Sequence, residues 1–209
     1  MSRGRFITLE GGEGVGKSTQ ARRLAAMLEG RGHDVLLTRE PGGAPGAEAI
    51  RGLLVEGETN RWTPLAEALL HFAARQEHLE RTIRPALALG KWVICDRFVD
   101  STRAYQGVAQ NLGHSAIDQL AELVVGSDMP TLTLVLDMPV EQGLLRAATR
   151  SGTEDRYERM GLDFHIRLRE AFRAIAIAYP RRCILIDATP GEDIVAAQIW
   201  GAVSTRLTP

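Results

Sequence analysis

Short apolar runs recur along the chain, separated by longer segments with helical periodicity. The runs are rich in aliphatic and β-branched residues, which is typical of strands buried on both faces of a sheet. They cover residues 5–10, 33–38, 91–96, 131–137 and 182–187. Between them, segments such as 66–89 and 164–178 place apolar residues at helical spacing. This alternation predicts an α/β fold with a mostly parallel central sheet flanked by helices.

Length and composition favour one domain spanning residues 1–209. The 209 residues are 44% hydrophobic, enough to bury a core, and no linker or internal repeat divides them. No apolar run approaches the roughly 18 residues that a membrane span needs, and the first residues lack a signal-peptide pattern. We therefore expect a cytoplasmic protein without a membrane partner. The formal net charge of −1 argues against nucleic acid as a partner.

The two cysteines, Cys95 and Cys183, both fall inside predicted strands. Disulfides are rare in cytosolic proteins. We expect both residues to be reduced members of the core.

A glycine-rich segment, LEGGEGVGKSTQA, joins the first predicted strand to the first predicted helix. Gly11, Gly16, Lys17 and Ser18 match the pattern G-x-x-x-x-G-K-[ST] of a phosphate-binding loop. Backbone N–H groups of such a loop surround a phosphate, and the helix N-terminus adds partial positive charge. Lys17 would bridge the β- and γ-phosphates, and the Ser18 hydroxyl would contact Mg²⁺. The predicted donor-binding residues are Gly11, Gly12, Glu13, Gly14, Val15, Gly16, Lys17, Ser18 and Thr19.

The scarcity of lysine makes one class of nucleotide-binding protein improbable. Switch proteins that read guanine need an Asn-Lys-x-Asp element well after the loop. Lys91 is the only other lysine in the chain, and it lies in LGKWVICD, where no such element exists. A binding module that responds to a nucleotide without turning it over stays open as a second class of function.

Polar motifs follow the predicted strands at the edge of the sheet where ligands bind in such folds. TREPGG follows the second strand, DRF the third and a single aspartate the fourth. Arg39 and Arg97 should therefore face a common crevice, with Arg51 on the next helix. Residues 146–159 form an arginine-rich polar stretch between two helices. Phosphoryl transfer to a phosphorylated acceptor needs arginines for that acceptor and a basic cover over the reacting group.

Several of these motifs together resemble the thymidylate kinase family over essentially the whole chain. They are EGGEGVGKST, TREPGG, FAARQEH, CDRFVDSTRAYQG and DRYE. The pair formed by TREPGG and DR-x-x-x-S-T-x-A-Y-Q is more specific than the loop. The resemblance implies a P-loop nucleoside-monophosphate-kinase-like fold with a short arginine-rich lid at about residues 146–160. It also implies a homodimer that moves the γ-phosphate of ATP to dTMP with Mg²⁺.

The resemblance also implies roles for individual residues in acceptor binding. Glu13 would contact the 3′-hydroxyl of the deoxyribose, and Tyr105 would leave no room for a 2′-hydroxyl. Phe72 would stack on thymine, although His71 shares that helical face and could take the position. The full set of implied acceptor-binding residues is Glu13, Arg39, Glu40, Arg51, Phe72, Arg75, Arg97, Ser101, Thr102, Tyr105 and Gln106. Among them, Arg39, Arg51 and Arg97 would hold the acceptor phosphate, and Arg75, Thr102 and Gln106 would read the edge of the base.

Members of the thymidylate kinase family carry the catalytic arginine either inside the phosphate-binding loop or in the lid. The resemblance implies the lid arrangement here, because the interior of the loop, Gly-Glu-Gly-Val, contains no arginine. Arg156 is the first candidate and Arg150 the second. The implied catalytic set is Glu13, Lys17, Arg97, Arg150 and Arg156, with Ser18 and Asp96 as metal ligands. A kinase of the same fold with another nucleoside monophosphate as acceptor stays open. No role is evident for Asp100.

Overall fold

Five parallel strands form the central sheet of the computed structural model, which describes residues 4–149 and 155–207. The strands are β1 (Arg5–Glu10), β2 (Val35–Arg39), β3 (Trp92–Asp96), β4 (Leu132–Asp137) and β5 (Cys183–Asp187). Their order across the sheet is β2-β3-β1-β4-β5, and every neighbouring pair is parallel. The predicted α/β architecture is confirmed, with strand bounds within a few residues of the predicted ones.

Helices connect the strands and cover the sheet. They are α1 (Lys17–Glu29), α2 (Pro45–Val55), α3 (Pro64–His78), α4 (Arg84–Ala88), α5 (Val99–Thr102), α6 (His114–Val124), α7 (Val140–Ala147), α8 (Leu162–Ala178) and α9 (Glu192–Leu207). A π-helical segment, Leu79–Ile83, joins α3 to α4, and a second, Arg103–Ala109, continues α5. The single helix expected over residues 66–89 is therefore a chain of three helical segments. Among the described residues, no helix is both long and apolar enough to cross a membrane.

Alternate residues of the strands enter cores on opposite faces of the sheet. Ile7 and Leu9 of β1 pack in the cluster formed with α1 and α9, whereas Phe6 packs in the cluster with α3 and α6. A sheet buried on both faces explains why its strands read as nearly continuous apolar runs. Cys95 and Cys183 are free and buried, as expected, and burial raises the pKa of both thiols.

Asp100, for which no role was evident from the sequence, links α5 to the start of β5. Its carboxylate is fully buried and accepts hydrogen bonds from Arg103 Nη1 at 3.1 Å and from both terminal nitrogens of Arg182. Arg182 directly precedes β5 and also donates to Thr133 Oγ1 in β4 at 2.8 Å. This ion pair positions the start of α5, which carries several predicted site residues.

We expect Asp100→Ala to lower the free energy of unfolding by about 3–5 kcal/mol, because it leaves the largely buried charge of Arg182 without its partner. Asp118→Ala is the matched control. Asp118 contacts the same Arg103 but is 52% exposed, so its loss should cost less than about 1 kcal/mol. Urea denaturation of both variants measures the difference. Equal losses would contradict a structural role for the Asp100 pair.

Candidate active site

The glycine-rich loop adopts a backbone that requires glycine at its centre. Gly14 has a φ of +70°, and a Cβ placed there would lie 1.8 Å from the carbonyl oxygen of Gly143 in α7. Gly16, with a φ of +92°, leads directly into α1. The loop therefore ends at a helix N-terminus, where free N–H groups and the helix dipole favour an anion.

The ammonium group of Lys17 lies over this loop. Its Nζ donates to the carbonyl oxygens of Gly12 at 2.6 Å and Gly11 at 3.2 Å. Burial and the nearby charge of Arg97 lower the pKa of Lys17 to about 8. The nearby acidic groups Glu13 and Asp96 offset this lowering only in part, and a bound phosphate would add further negative charge beside the ammonium.

Two oxygen groups beside the loop fit a hard divalent cation. Ser18 Oγ donates a hydrogen bond to Asp96 Oδ2, which brings together a hydroxyl and a carboxylate from α1 and the end of β3. Mg²⁺ prefers oxygen ligands and keeps several waters or phosphate oxygens, so few protein ligands suffice. Within residues 4–149 and 155–207, no group of three or more His, Cys, Asp or Glu side chains could hold a metal alone.

A cleft opens next to the loop, at the carboxyl ends of the strands. Its lining combines charged, polar and aromatic side chains, as is typical of a small-molecule site. The predicted residues that line it are Glu13, Glu40, Arg51, Arg75, Arg97, Ser101, Thr102, Tyr105 and Gln106. Phe98 and Tyr157 also line it. Both lie inside motifs quoted above, DRF and DRYE, but neither was assigned a role from the sequence.

Glu13 is the polar centre of the cleft. Its Oε1 accepts hydrogen bonds from Arg97 Nη2 at 2.8 Å and from the Tyr105 hydroxyl at 2.5 Å. Burial alone raises its pKa, but the charges of Arg97 and Lys17 and the Tyr105 hydrogen bond outweigh burial. The pKa of Glu13 is thereby held at about 2. The side chain is a carboxylate at neutral pH, ready to accept a further hydrogen bond.

Arg97 links the loop to the turn after β3. It has a φ of +71°, unusual for a residue with a Cβ, and its Nη1 donates to Gly11 O at 3.0 Å and Ser101 Oγ at 3.2 Å. Strained backbone of this kind is typical of functional sites. The guanidinium of Arg97 therefore lies between the loop and the cleft.

Glu10, which was not predicted, holds this turn in place. Its carboxyl group accepts from the Phe98 N–H at 2.8 Å and from Ser101 Oγ at 2.6 Å. Burial and the charge of Asp100 raise the pKa of Glu10 to about 8. The sequence signal that could have identified Glu10 is its position as the last residue of the strand before the loop.

His71, rather than Phe72, is the residue of this pair that lines the cleft. Phe72 is only 2% exposed, packs in the core cluster of α3 and α6, and is not among the described residues that line the cleft. His71 does line it. Burial lowers the pKa of His71 to about 3, so its ring is neutral. Tyr157 OH lies 2.9 Å from His71 Nε2 and donates its own proton to Glu67, so Nε2–H is the donor of that pair.

Arg156 is enclosed by protein, which argues against the catalytic role expected for it. It is fully buried, and its guanidinium donates to the carbonyl oxygens of Leu54, Glu58 and Thr59 and to Glu67. None of these contacts reaches the phosphate-binding loop. The alternative, Arg150, lies outside the described residues.

Arg39 lies at the carboxyl-terminal edge of the sheet and is exposed. Its Nη2 donates to Glu48 Oε2 at 3.3 Å. It is not among the described residues that line the cleft. Arg51 lines the cleft and donates to the carbonyl oxygen of Pro41 at 2.6 Å. Of the three arginines expected at the acceptor phosphate, Arg51 and Arg97 are therefore the two that the fold brings together.

A second cleft also borders the loop. It is lined by Gly14, Gly16 and Thr19 of the loop region, by Arg146 at the end of α7 and by Gly191 after β5. Residues of the loop therefore line both clefts.

The parallel sheet, the glycine loop before α1 and the paired clefts define a nucleotide-binding α/β protein of the P-loop class. A family model described as thymidylate kinase matches residues 9–199. A thymidylate kinase of Caulobacter vibrioides is 56% identical over 207 residues, covering 99% of both chains. One from Bradyrhizobium diazoefficiens is 52% identical, covering 99% of this chain and 92% of that one. The crystal structure of thymidylate kinase from Ehrlichia chaffeensis superposes with a TM-score of 0.79 at 34% identity, covering 96% and 99% of the two chains. The chain belongs to the thymidylate kinase family, whose members are ATP-dependent phosphotransferases.

We expect ATP binding at pH 8 to be accompanied by proton uptake at Lys17. With a pKa of about 8, Lys17 is partly deprotonated in the free protein, and the triphosphate favours its charged form. At pH 6.5 Lys17 is already charged, so this uptake should vanish. Titration calorimetry in Tris and in HEPES measures the uptake, since the buffers differ in ionisation enthalpy.

Lys17→Met should abolish the difference between the two buffers at pH 8. Lys91→Met is the matched control. Lys91 is partly exposed and paired with Asp34, and neither residue belongs to the loop. Equal heats in both buffers for the unaltered protein would show that Lys17 is fully charged before ATP arrives.

Proposed function

We propose that this chain transfers the γ-phosphoryl group of ATP to the phosphate of dTMP, giving dTDP and ADP, and that Arg75 and Gln106 select the base. The observation that carries the proposal is a donor and an acceptor, both buried without a partner among the described residues. They are Nη1 of Arg75 and Oε1 of Gln106, and both side chains line the cleft beside the loop.

The other polar atoms of these two side chains are already engaged. Arg75 Nε donates to Glu40 Oε2 at 2.8 Å and Nη2 to Thr102 Oγ1 at 3.1 Å, while Gln106 Nε2 donates to Glu67 Oε1 at 2.7 Å. The two atoms that remain without any partner are a donor nitrogen and a carbonyl acceptor. Such atoms cost free energy while they are unpaired. A ligand that satisfies both is therefore favoured.

Thymine complements this pair of atoms. It carries a carbonyl acceptor at position 4 and an N–H donor at position 3, next to each other, whereas cytosine carries an amino donor and a ring-nitrogen acceptor there. Arginine can only donate, so Arg75 would meet the cytosine amino group donor against donor. The neutral ring of His71 lies in the same cleft and is placed to stack on the base.

The remaining cleft residues suit a deoxyribose phosphate. The Glu13 carboxylate can accept from the 3′-hydroxyl, and the buried ring of Tyr105, hydrogen-bonded to Glu13, would exclude a 2′-hydroxyl. Arg97 beside the loop and Arg51 in the lining of the cleft would supply positive charge for the acceptor phosphate. Arg39 stays a candidate for the same phosphate at the rim.

Catalysis of phosphoryl transfer is mainly positioning and charge stabilisation. The loop N–H groups and Lys17 hold the donor phosphates, and Arg97 and Glu13 orient the acceptor between loop and cleft. Ser18 and Asp96 would hold Mg²⁺, which when bound neutralises charge on the phosphate oxygens. A lid arginine would complete the positive charge around the transferred group, and the enclosure of Arg156 leaves Arg150 as our candidate.

Two further properties are part of the proposal. A homodimer is supported by exposed leucines on α3 and α6, helices that pack against each other: Leu65 and Leu69 are 47% and 48% exposed and Leu123 is 81% exposed. A cytoplasmic location is supported by the two free cysteines. A kinase with another acceptor and a module that binds ATP without turnover are the alternatives that the assays below separate.

Release of ADP in the presence of a panel of nucleoside monophosphates tests the acceptor. We expect kcat/KM to be highest for dTMP, lower for dUMP through the missing methyl contact and far lower for dCMP. Arg75→Ala should reduce activity with dTMP and narrow the dTMP-to-dCMP ratio, since each mismatched group costs about 1–3 kcal/mol. Arg81→Ala, on the same helical run but exposed and paired with Glu77, is the control. A preference for dCMP, or no acceptor-dependent ADP release, would overturn the assignment.

Substitution of the two lid candidates separates catalysis from structure. Arg150→Ala should lower kcat about 10²–10³-fold with little change in the KM for dTMP, as expected for a contact made in the transition state. Arg156→Ala should instead destabilise the fold, measured as a lower unfolding midpoint in urea, because it leaves Glu67 as a buried unpaired charge. Unchanged stability of Arg156→Ala together with a loss confined to kcat would restore Arg156 as the catalytic arginine.

A further inference from the structure

One carboxylate beside the cleft accepts an unusual number of hydrogen bonds. Glu67 of α3 is fully buried, and its Oε1 accepts from Gln106 Nε2 at 2.7 Å, Gln110 Nε2 at 2.7 Å and Tyr157 OH at 3.0 Å. Its Oε2 accepts from Arg156. Glu67 is not among the described residues that line the cleft, and no role was assigned to it from the sequence.

This arrangement decides which end of the Gln106 amide faces the base. A glutamine side chain can present either its NH₂ donors or its carbonyl acceptor, and the two ends have nearly the same shape. A carboxylate only accepts. The NH₂ group must therefore turn toward Glu67, and the carbonyl oxygen is left buried and unpartnered.

We propose that Glu67 is a specificity-determining positioning residue: through its charge it holds Gln106 Oε1 as an acceptor toward the base, so that the cleft reads the N3–H of thymine and rejects the N3 acceptor of cytosine. The inference rests on the proposed roles of Arg75 and Gln106 in base selection. Glu67 contacts no substrate and acts through Gln106.

The neighbouring residues strengthen the constraint. Gln110 and Tyr157 also donate to Oε1, so three donors converge on one oxygen and leave it no role except as an acceptor. Arg156 supplies the opposite charge, and it keeps three backbone carbonyl oxygens as acceptors besides Glu67. Its charge therefore stays hydrogen-bonded when the side chain at position 67 is made neutral.

Glu67→Gln tests the inference, because an amide at position 67 offers both donors and an acceptor. The Gln106 amide can then reverse and present N–H groups to cytosine N3. We expect the ratio of kcat/KM for dTMP to that for dCMP to fall about tenfold or more, mainly through the KM for the acceptor, with the KM for ATP unchanged. An equal loss of activity with both acceptors would mean a structural role only and would overturn the inference.

Gln110→Ala is the matched control. It removes one donor from the same oxygen of Glu67, but Gln110 is not among the residues that line the cleft, so the ratio should stay at the value of the unaltered protein. A ratio that fell equally in Gln110→Ala would also overturn the inference. If Arg75→Ala narrows the ratio and Glu67→Gln leaves it unchanged, base selection by Arg75 stands and only the role of Glu67 fails.

Gln106→Glu provides a second test that does not depend on the folding of Glu67→Gln. A carboxyl group at position 106 would face Glu67, and two carboxylates so close cannot both ionise, so one must hold a proton. In the protonated form, the O–H of residue 106 replaces the NH₂ and its carbonyl oxygen still faces the base. The ratio of activity with dTMP in this variant to that in the unaltered protein at the same pH should then fall as pH rises between about 6 and 9, because the two carboxylates repel once both ionise. The ratio removes the titration of groups that both proteins share, such as Lys17 and Glu10. A ratio that does not change over this range would show that Glu67 does not control residue 106.

Discussion

The ion pair between Glu13 and Arg97 joins the two halves of the candidate active site. Glu13 belongs to the glycine-rich loop and Arg97 to the turn after β3, and their contact brings the groups proposed to bind the acceptor next to the loop proposed to hold the donor phosphates. Because β1 and β3 are adjacent and parallel, their carboxyl ends carry these two segments to the same edge of the sheet. Glu10 and Asp100 then hold the turn from behind, so the geometry of Arg97 depends on buried carboxyl groups on two sides.

The base end of the cleft follows a related rule, in which most polar atoms are satisfied by protein and a few are left for the ligand. Glu40 and Thr102 engage Arg75, and Glu67 engages Gln106, which leaves one donor nitrogen and one acceptor oxygen without a partner. Buried groups without partners cost about 1–3 kcal/mol each, and a ligand that pairs with them recovers that free energy. The proposed base selectivity therefore depends on Glu67 behind the cleft as well as on the residues that line it.

Two site residues predicted from the sequence were placed elsewhere by the fold. His71 and Phe72 are neighbours on one helix, and both lie within a turn of Arg75, so helical spacing alone could not decide which ring enters the cleft. The structure decides it through packing, because the core between α3 and α6 takes the larger apolar ring. Arg156 likewise reads as a mobile lid cation, yet its guanidinium is enclosed by carbonyl oxygens at the end of α2 and by Glu67, contacts about 90 or more residues away in the chain.

The sequence by itself determined the order of strands and helices and the phosphate-binding loop, since both depend on local patterns of apolar residues, glycine and Lys-Ser. It also indicated which acceptor-binding residues would meet, because motifs at the ends of parallel strands share one edge of the sheet. Only the tertiary structure decided the roles of Glu10, Glu67 and Asp100. Their function depends on hydrogen bonds to partners 39 to 91 residues away, and a buried carboxyl group leaves no periodic signal that distinguishes it from a solvated one.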